Sequence, residues 1–517
     1  MCLILEKTSE LLRNLLWNEF LRSRRKSLDF LEHRAKEFEH LANDLGAARC
    51  ITGKMANILD EEIMTAKDYL LEVEKESHVG VRLTPLVHYE FRSMLDYIES
   101  AHSDFMVMLL QILFEKIRCD PIASINDHTV SEAMRLLRIP PQTNAAVLKI
   151  MENCTAALYG NSGSIAESLE PVVVHWLYHY YRFLPSSRTI SMPSSDSSNL
   201  CHFSYLAHES VHSKLFDITT TLGNLSVAEK IGDSAQAEKY KLIMNQLLPD
   251  SYQKVTETFK HLEKRFVAIL KDRLGEIYKS IYRNVIKDEF VVPARFLEYQ
   301  FCEFICDFGS VKIAGPANVV LSACMFADSL RNPSLDTMRH LYSLNHPPDS
   351  IRVASQKFAL QRGNLYNEMI DQIDVLVEGL SRADCAGGLI NDGERQEVDF
   401  LDRYFNILME KGECGKSLID EMLELSDRIV REDHCYNKNR WAKVMKYYPI
   451  AGERDEKEYL NLHPYDFVNV VWLKLFEISK KPMTYGEYVD SYSSVKPFLN
   501  MVWKKLVGCQ FSRACGV

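Results

Sequence analysis

His208 and His212 stand four residues apart with Glu209 between them, in a segment, 204–216, that is apolar along one side. Residues four apart lie one turn above each other on a helix, so both imidazoles can reach a single ion. Glu209 is rotated by about 100° from His208, which keeps its carboxylate off the ion and beside an open coordination position. A helix with this apolar side packs in a core, and buried histidines need a partner or an ion. The segment therefore predicts a buried helix that carries two metal ligands.

A third ligand must come from elsewhere in the chain. No Cys-x-x-Cys pair and no third histidine close downstream accompany the motif, which argues against a closed structural zinc site. Glu303 and Asp307 are four apart in an apolar segment, 301–308, about 90 residues after His212. Carboxylates in such a segment are costly unless they bind something. We therefore predict that Glu303 is the third ligand and that Asp307 accepts a hydrogen bond from a ligating histidine.

The order H-E-x-x-H then E-x-x-x-D resembles the gluzincin metallopeptidases, of which thermolysin is the best known. His346-Pro347 with Arg352 a few residues on is similar to the CAAX-type protease family and its bacterial heat-shock relatives. Gly315-Pro316-Ala317 is similar to a segment in soluble proteins with the same catalytic core. The resemblance covers roughly 185–355. It implies that Glu209 is the catalytic base of a Zn²⁺ peptidase whose metal ligands are His208, His212 and Glu303, with Asp307 holding one of the histidines.

The chain departs from this family in two respects. The CAAX-type enzymes are embedded in a membrane, whereas this chain has no apolar stretch near the ~20 residues of a spanning helix. The two ligand segments are also further apart than in thermolysin, so we expect a helical insertion at about 225–290, with a break at Pro249-Asp250.

The donor that would stabilise an oxyanion is less constrained. His346, Arg352, Tyr342 and Tyr205 are the candidates, with His346 beside Pro347 the leading one. His346 has an alternative interpretation as a turn histidine with a structural hydrogen bond. Arg352 also has an alternative interpretation, as the partner that fixes a carboxylate of the site.

The fold is predicted to be mainly α, with helical flanking domains around a gluzincin-like α+β zinc-peptidase core that holds a small sheet. We expect an N-terminal helical domain with a coiled-coil-like hairpin at 1–155, a metallopeptidase-like domain at 156–375 and a C-terminal helical domain at 376–517. Segment 188–193 is β-prone and is assigned as the edge strand beside the cleft, by analogy with the family. Segment 355–385 is predicted to be one amphipathic helix.

Composition excludes several classes. A net charge of −10 and a pI near 5.9 give no global footprint for nucleic acid or an anionic membrane. Thirteen scattered cysteines without a framework spacing fit a reducing compartment, and the N-terminus lacks the pattern of a signal peptide. We therefore expect a cytoplasmic protein that acts on a peptide or protein substrate.

The leading hypothesis is a zinc-dependent peptidase with Glu209 as general base. One alternative is a helical interaction or scaffold protein with a degenerate or structural metal site, since most of the chain is helical without recognisable chemistry. Another is a zinc hydrolase that uses the same ligands on esters or other amides.

Overall fold

The structure is a computed structural model. It describes 141–160, 172–176, 181–185, 189–193, 200–248, 251–282, 293–326, 345–365, 392–412, 415–431, 434–437 and 463–478, with isolated positions within 15–71 and 486–494. Most of the predicted N-terminal hairpin, Tyr342 and the stretch after 365 in the predicted helix 355–385 lie outside the described residues. The bounds of the three predicted domains stay predictions.

The described elements follow in a simple order. They are α1 (Pro141–Tyr159), β1 (Val172–Trp176), β2 (Arg182–Leu184), β3 (Thr189–Pro193), a 3₁₀ turn (Leu200–Phe203), α2 (Ser204–Ile231), α3 (Ser234–Leu247), α4 (Tyr252–Tyr282), α5 (Ala294–Ala314), α6 (Pro316–Met325), α7 (Asp349–Arg362), α8 (Asp392–Met409), α9 (Leu418–Ile429) and α10 (Pro464–Ile478). The prediction of a mainly helical protein is confirmed. No helix in the described part of the chain is both long enough and apolar enough to cross a membrane.

Three short strands form a sheet in the order β1-β3-β2. β3 pairs in parallel with β1 and antiparallel with β2, so it is the central strand. The prediction that 188–193 supplies the edge strand beside the cleft is therefore wrong: the stretch is a strand over Thr189–Pro193, but it has a neighbour on each side. The edge that faces α2 belongs to β2.

Helices α2 and α5 lie antiparallel at the centre of the core. Ser204–Ile218 of α2 and most of α5 are buried nearly all round, which is typical of helices enclosed by other elements. The two helices pack tightly at Gly309 of α5, where an added Cβ would lie 2.9 Å from Cγ2 of Val211. The missing side chain at Gly309 lets the two backbones come close enough for their polar side chains to meet.

Helix α9 packs against α5. Arg265 of α4 donates two hydrogen bonds to Glu421 of α9, at 2.8 and 2.9 Å. Lys312 near the end of α5 pairs with Asp427. Helix α9 begins with a capping box between Ser417 and Asp420. The pair of Lys312 and Asp427 joins α9 directly to the helix that carries Glu303, and the pair of Arg265 and Glu421 joins α9 to α4.

Helix α7 ends at Arg362, earlier than the helix predicted over 355–385. Gly363 donates to the carbonyl of Ala359, and Leu365 donates back to the carbonyl of Leu360. Asn364 adopts the left-handed conformation, with φ 50°. This is a helix C-terminal cap, which stops the helix in the middle of an apolar pattern.

Candidate metal centre

The two predicted histidines and the predicted acid meet between α2 and α5. The Nε2 atoms of His208 and His212 are 3.1 Å apart. His208 Nε2 lies 3.3 Å from one carboxylate oxygen of Glu303, and His212 Nε2 lies 3.2 Å from the other. The long sequence separation of the two motifs thus closes into one cluster, in which a ligand atom of each residue lies within 4.8 Å of the other two.

The spacing of these atoms suits one small divalent ion. Bonds of about 2.0–2.2 Å in a tetrahedral arrangement place the donor atoms about 3.4 Å apart. The separations of 3.1–3.3 Å are close to that value. Oε2 of Glu303 is buried, and its contacts with Nε2 of His208 and with Arg352, at 3.3 and 3.4 Å, are long for hydrogen bonds. A buried carboxylate oxygen with only long contacts is costly, and a cation would satisfy it. The donor set of two imidazoles and one carboxylate therefore fits Zn²⁺.

Asp307 holds the first histidine from behind. Its Oδ1 lies 3.1 Å from Nδ1 of His208, on the opposite side of the ring from the metal-facing nitrogen. Arg352, from the first turn of α7, donates to both oxygens of Asp307 at 2.7 and 2.8 Å. A carboxylate that accepts the Nδ1 proton leaves the lone pair of Nε2 free for a metal. Asp307 is thus placed as predicted, and Arg352 fixes a carboxylate of the site.

The electrostatics of the cluster favour positive charge. Burial alone would lower the pKa of His208, but its hydrogen bonds to Asp307 and Glu303 raise that pKa to about 10. Burial would raise the pKa of Glu303, but the charges of His346 and His212 and the histidine hydrogen bonds hold it well below its ordinary range. Two ionised carboxylates in a buried site therefore attract a cation, whether a proton or a metal.

Glu209 follows His208 on α2, about 100° further around the helix, and is 7% exposed. Its Oε2 accepts a hydrogen bond of 2.6 Å from the backbone N–H of Phe183 on β2. This backbone donor was not predicted, because a main-chain N–H leaves no mark in a sequence. The available signal was the short aromatic run before Pro185, which indicates a strand that ends there.

The residues predicted to stabilise an oxyanion differ in their exposure and in their distance from the three donors. His346 lies in the loop before α7 with a half-exposed side chain, and its Nε2 is 3.5 Å from Oε1 of Glu303. Tyr205 packs its ring against Tyr181, with centroids 5.2 Å apart. Arg352 is engaged by Asp307 and lies 3.4 Å from Glu303. Among the three candidates that the structure describes, His346 is therefore the one that is both near the donors and open to solvent.

Lys214 lies half a turn beyond His212 and is fully buried. Its ammonium group donates to the carbonyls of Leu158, at the end of α1, and Leu247, at the end of α3. It also lies over the ring of Tyr159, 4.1 Å from the centroid. These bonds satisfy carbonyls at two helix ends and hold α2 against both helices.

The chain matches no protein-family model, and no curated protein or solved structure matches it significantly.

Proposed function

We propose that this protein is a zinc-dependent peptidase with a gluzincin-like core, in which His208, His212 and Glu303 hold the ion. The observation that carries the proposal is the three-donor cluster with 3.1–3.3 Å between its atoms. Catalytic zinc sites have three protein ligands and one open position, whereas structural sites have four. Among the described residues the cluster has three members.

Bound zinc would polarise a carbonyl and lower the pKa of a bound water from 15.7 toward about 7. Glu209 is the residue that we assign to the proton transfer. Its carboxylate takes a proton from the attacking water and passes it to the leaving amine, a role worth about 10²–10⁴-fold in rate. The hydrogen bond from Phe183 occupies one of its oxygens and leaves Oε1 for the water.

His346 is the residue that we assign to the developing oxyanion. Its half-exposed ring sits at the edge of the cluster, so that a substrate carbonyl at the ion would come within its reach. Arg352 then serves a different purpose, since both of its hydrogen bonds go to Asp307. In this proposal the accessible side chain of His346 contacts the substrate, and the buried side chain of Arg352 supports the site through Asp307.

Access to the site supports a substrate from solution. The side chain of His212 is 24% exposed and that of His346 is 50% exposed, while His208, Glu303 and Asp307 are buried. The cluster is therefore open on the His212 and His346 side and closed on the Asp307 side. The edge strand β2 lies along α2 and contacts Glu209, which places extended backbone next to the proposed base.

The test combines metal content with cleavage. The purified protein should bind one zinc per chain and cleave an unfolded protein such as casein, and a chelator should abolish the cleavage. Glu209→Gln should keep the zinc and lose the cleavage, whereas His212→Ala should lose both. His261→Ala, on the exposed face of α4, is the control histidine and should lose neither.

The alternatives give different results. Zinc binding with hydrolysis of esters but not of peptides would replace the peptidase by another zinc hydrolase. A stable assembly with neither zinc nor cleavage would favour the helical scaffold. Full activity in Glu209→Gln would remove the proposed base.

A further inference from the structure

The proposed catalytic base Glu209 has a polar contact with the backbone of β2, an element that carries none of the proposed zinc ligands. The backbone nitrogen of Phe183 lies 2.6 Å from Oε2 of Glu209, and both residues are buried. Bonds from N–H groups to carboxylates are usually 2.7–2.9 Å long, so this one is at the short end.

The strand presents this N–H because of its register. Phe183 is opposite Ile190 in the antiparallel pair of β2 and β3. In such pairs, residues alternate between those that exchange hydrogen bonds with the partner strand and those that point outward. The N–H of Phe183 points outward, to α2. Phe183 is the middle residue of β2. The backbone groups of its neighbours Arg182 and Leu184 therefore point the other way, toward β3.

Two aromatic contacts fix β2 on α2 on either side of this bond. The ring of Tyr181 packs on Tyr205, one turn before Glu209, with 5.2 Å between centroids. The ring of Phe183 packs on Phe216, two turns after Glu209, with 5.9 Å between centroids. Pro185 then follows β2 and has no N–H to offer. The donor is therefore held at a set place along the helix, and the next residue of the same orientation cannot replace it.

We propose that the backbone N–H of Phe183 is the positioning group for the catalytic base. This inference rests on the proposed peptidase function, and it gives a role in the site to a residue that is not a metal ligand. The N–H binds one carboxylate oxygen of Glu209 and so fixes the direction of the other. A glutamate side chain without this bond loses the single orientation that proton transfer requires.

The cleanest test removes only the N–H. A backbone ester at position 183, made by replacing phenylalanine with its α-hydroxy analogue, keeps the ring and exchanges the N–H for oxygen. A misplaced catalytic group can cost about 100-fold in rate. We expect kcat to fall by about that factor while KM and zinc affinity stay within twofold of the unmodified protein.

A pair of ordinary variants gives the same comparison. Phe183→Pro and Phe183→Ala both lose the ring, but only the alanine keeps the N–H. Proline is tolerated on edge strands where the N–H is outside the ladder. The ratio of the two kcat values should be at least about tenfold in favour of alanine, and both proteins should bind zinc equally.

A spectroscopic measurement reads the bond without activity. In the zinc-loaded protein labelled with ¹⁵N-phenylalanine, the Phe183 amide proton should resonate far downfield and should move upfield in Glu209→Ala. An unmoved resonance would overturn the inference, as would an ester variant with unchanged kcat. Zinc-loaded protein that cleaves no peptide would instead refute the peptidase proposal, while the resonance would still report on the bond.

Discussion

The close approach at Gly309 gives a quantitative test of how the fold builds the metal centre. In Gly309→Ala the new Cβ would lie 2.9 Å from Cγ2 and 3.1 Å from Cγ1 of Val211, which is itself fully buried. Carbon atoms pack at about 3.5–4.0 Å, so α2 and α5 must separate by at least about 0.6 Å. The distances between His208 or His212 and Glu303 span the same interface, and they would rise from 3.2–3.3 Å to about 4 Å.

An ion with bonds of about 2.0–2.2 Å prefers donors about 3.4 Å apart. We therefore expect zinc affinity to fall by about 10- to 100-fold, the usual cost of disturbing the support of a metal site. Overpacking costs about 1–3 kcal/mol of unfolding free energy, while the change from glycine to alanine in a helix returns about 0.5–1 kcal/mol. The loss of stability should thus be modest, at about 2 kcal/mol or less.

Competition with a chromophoric chelator measures the affinity, and thermal unfolding measures the stability. Gly223→Ala is the matched control, because Gly223 lies on the exposed part of α2 and an added Cβ meets no atom within 4 Å. It should leave zinc affinity unchanged. Val211→Ala combined with Gly309→Ala removes both clashing methyl groups and should restore affinity to within a few-fold. Zinc affinity within twofold of the parent in Gly309→Ala alone would refute the reasoning.

Three further predictions concern stability. Arg352→Met leaves the buried carboxylate of Asp307 without its bidentate partner and should cost about 3–5 kcal/mol in urea unfolding. Arg352→Lys should recover only part of this, since an ammonium group lacks the planar fork, and a loss below about 1 kcal/mol in Arg352→Met would contradict the assignment. Burial lowers the pKa of Lys214 to about 7, so the folded state binds that proton less tightly than the unfolded chain. The free energy of unfolding should therefore rise between about pH 7 and pH 10, and denaturant titrations of Lys214→Met at pH 7 and 9 should lack this part of the rise. Gly315→Ala must hold φ 70° and place Cβ 2.4 Å from the Tyr436 ring, so it should lose about 3 kcal/mol or more, and an unchanged melting temperature would argue against the turn.

The sequence predicted the polar cluster well because burying each of its polar side chains in an apolar segment costs free energy unless the side chain binds a partner. Glu303 and Asp307 stand in a segment too apolar to solvate two carboxylates, and their spacing puts both on one face. His208 and His212 have the same spacing on a helix that must be buried. Local periodicity and the price of burying charge therefore sufficed to choose the residues. The same cost suggested the pairing across the long intervening segment, and the resemblance to a known order of motifs agreed with it.

The remaining errors have non-local causes. Thr189–Pro193 has the composition of a strand, but whether a strand lies at an edge depends on which others pair with it, and β2 was not foreseen. The end of α7 was missed because Gly363 and Asn364 interrupt an apolar pattern that continues beyond them. The role of Phe183 is carried by its backbone, which every residue but proline shares.

Helix α9 packs against α5, so one side of the proposed metal centre is formed by a distant part of the chain. Val430, the residue after α9, also approaches Gly309, where an added Cβ would lie 3.3 Å from its Cγ2. Ser426 reaches toward the carbonyl of Ile305, between the two acidic residues. A protein shortened before Asp392 would therefore lose α9 and leave the side of α5 that it covers facing water, and we expect sequence changes in α9 to alter metal affinity at the proposed site without touching a ligand.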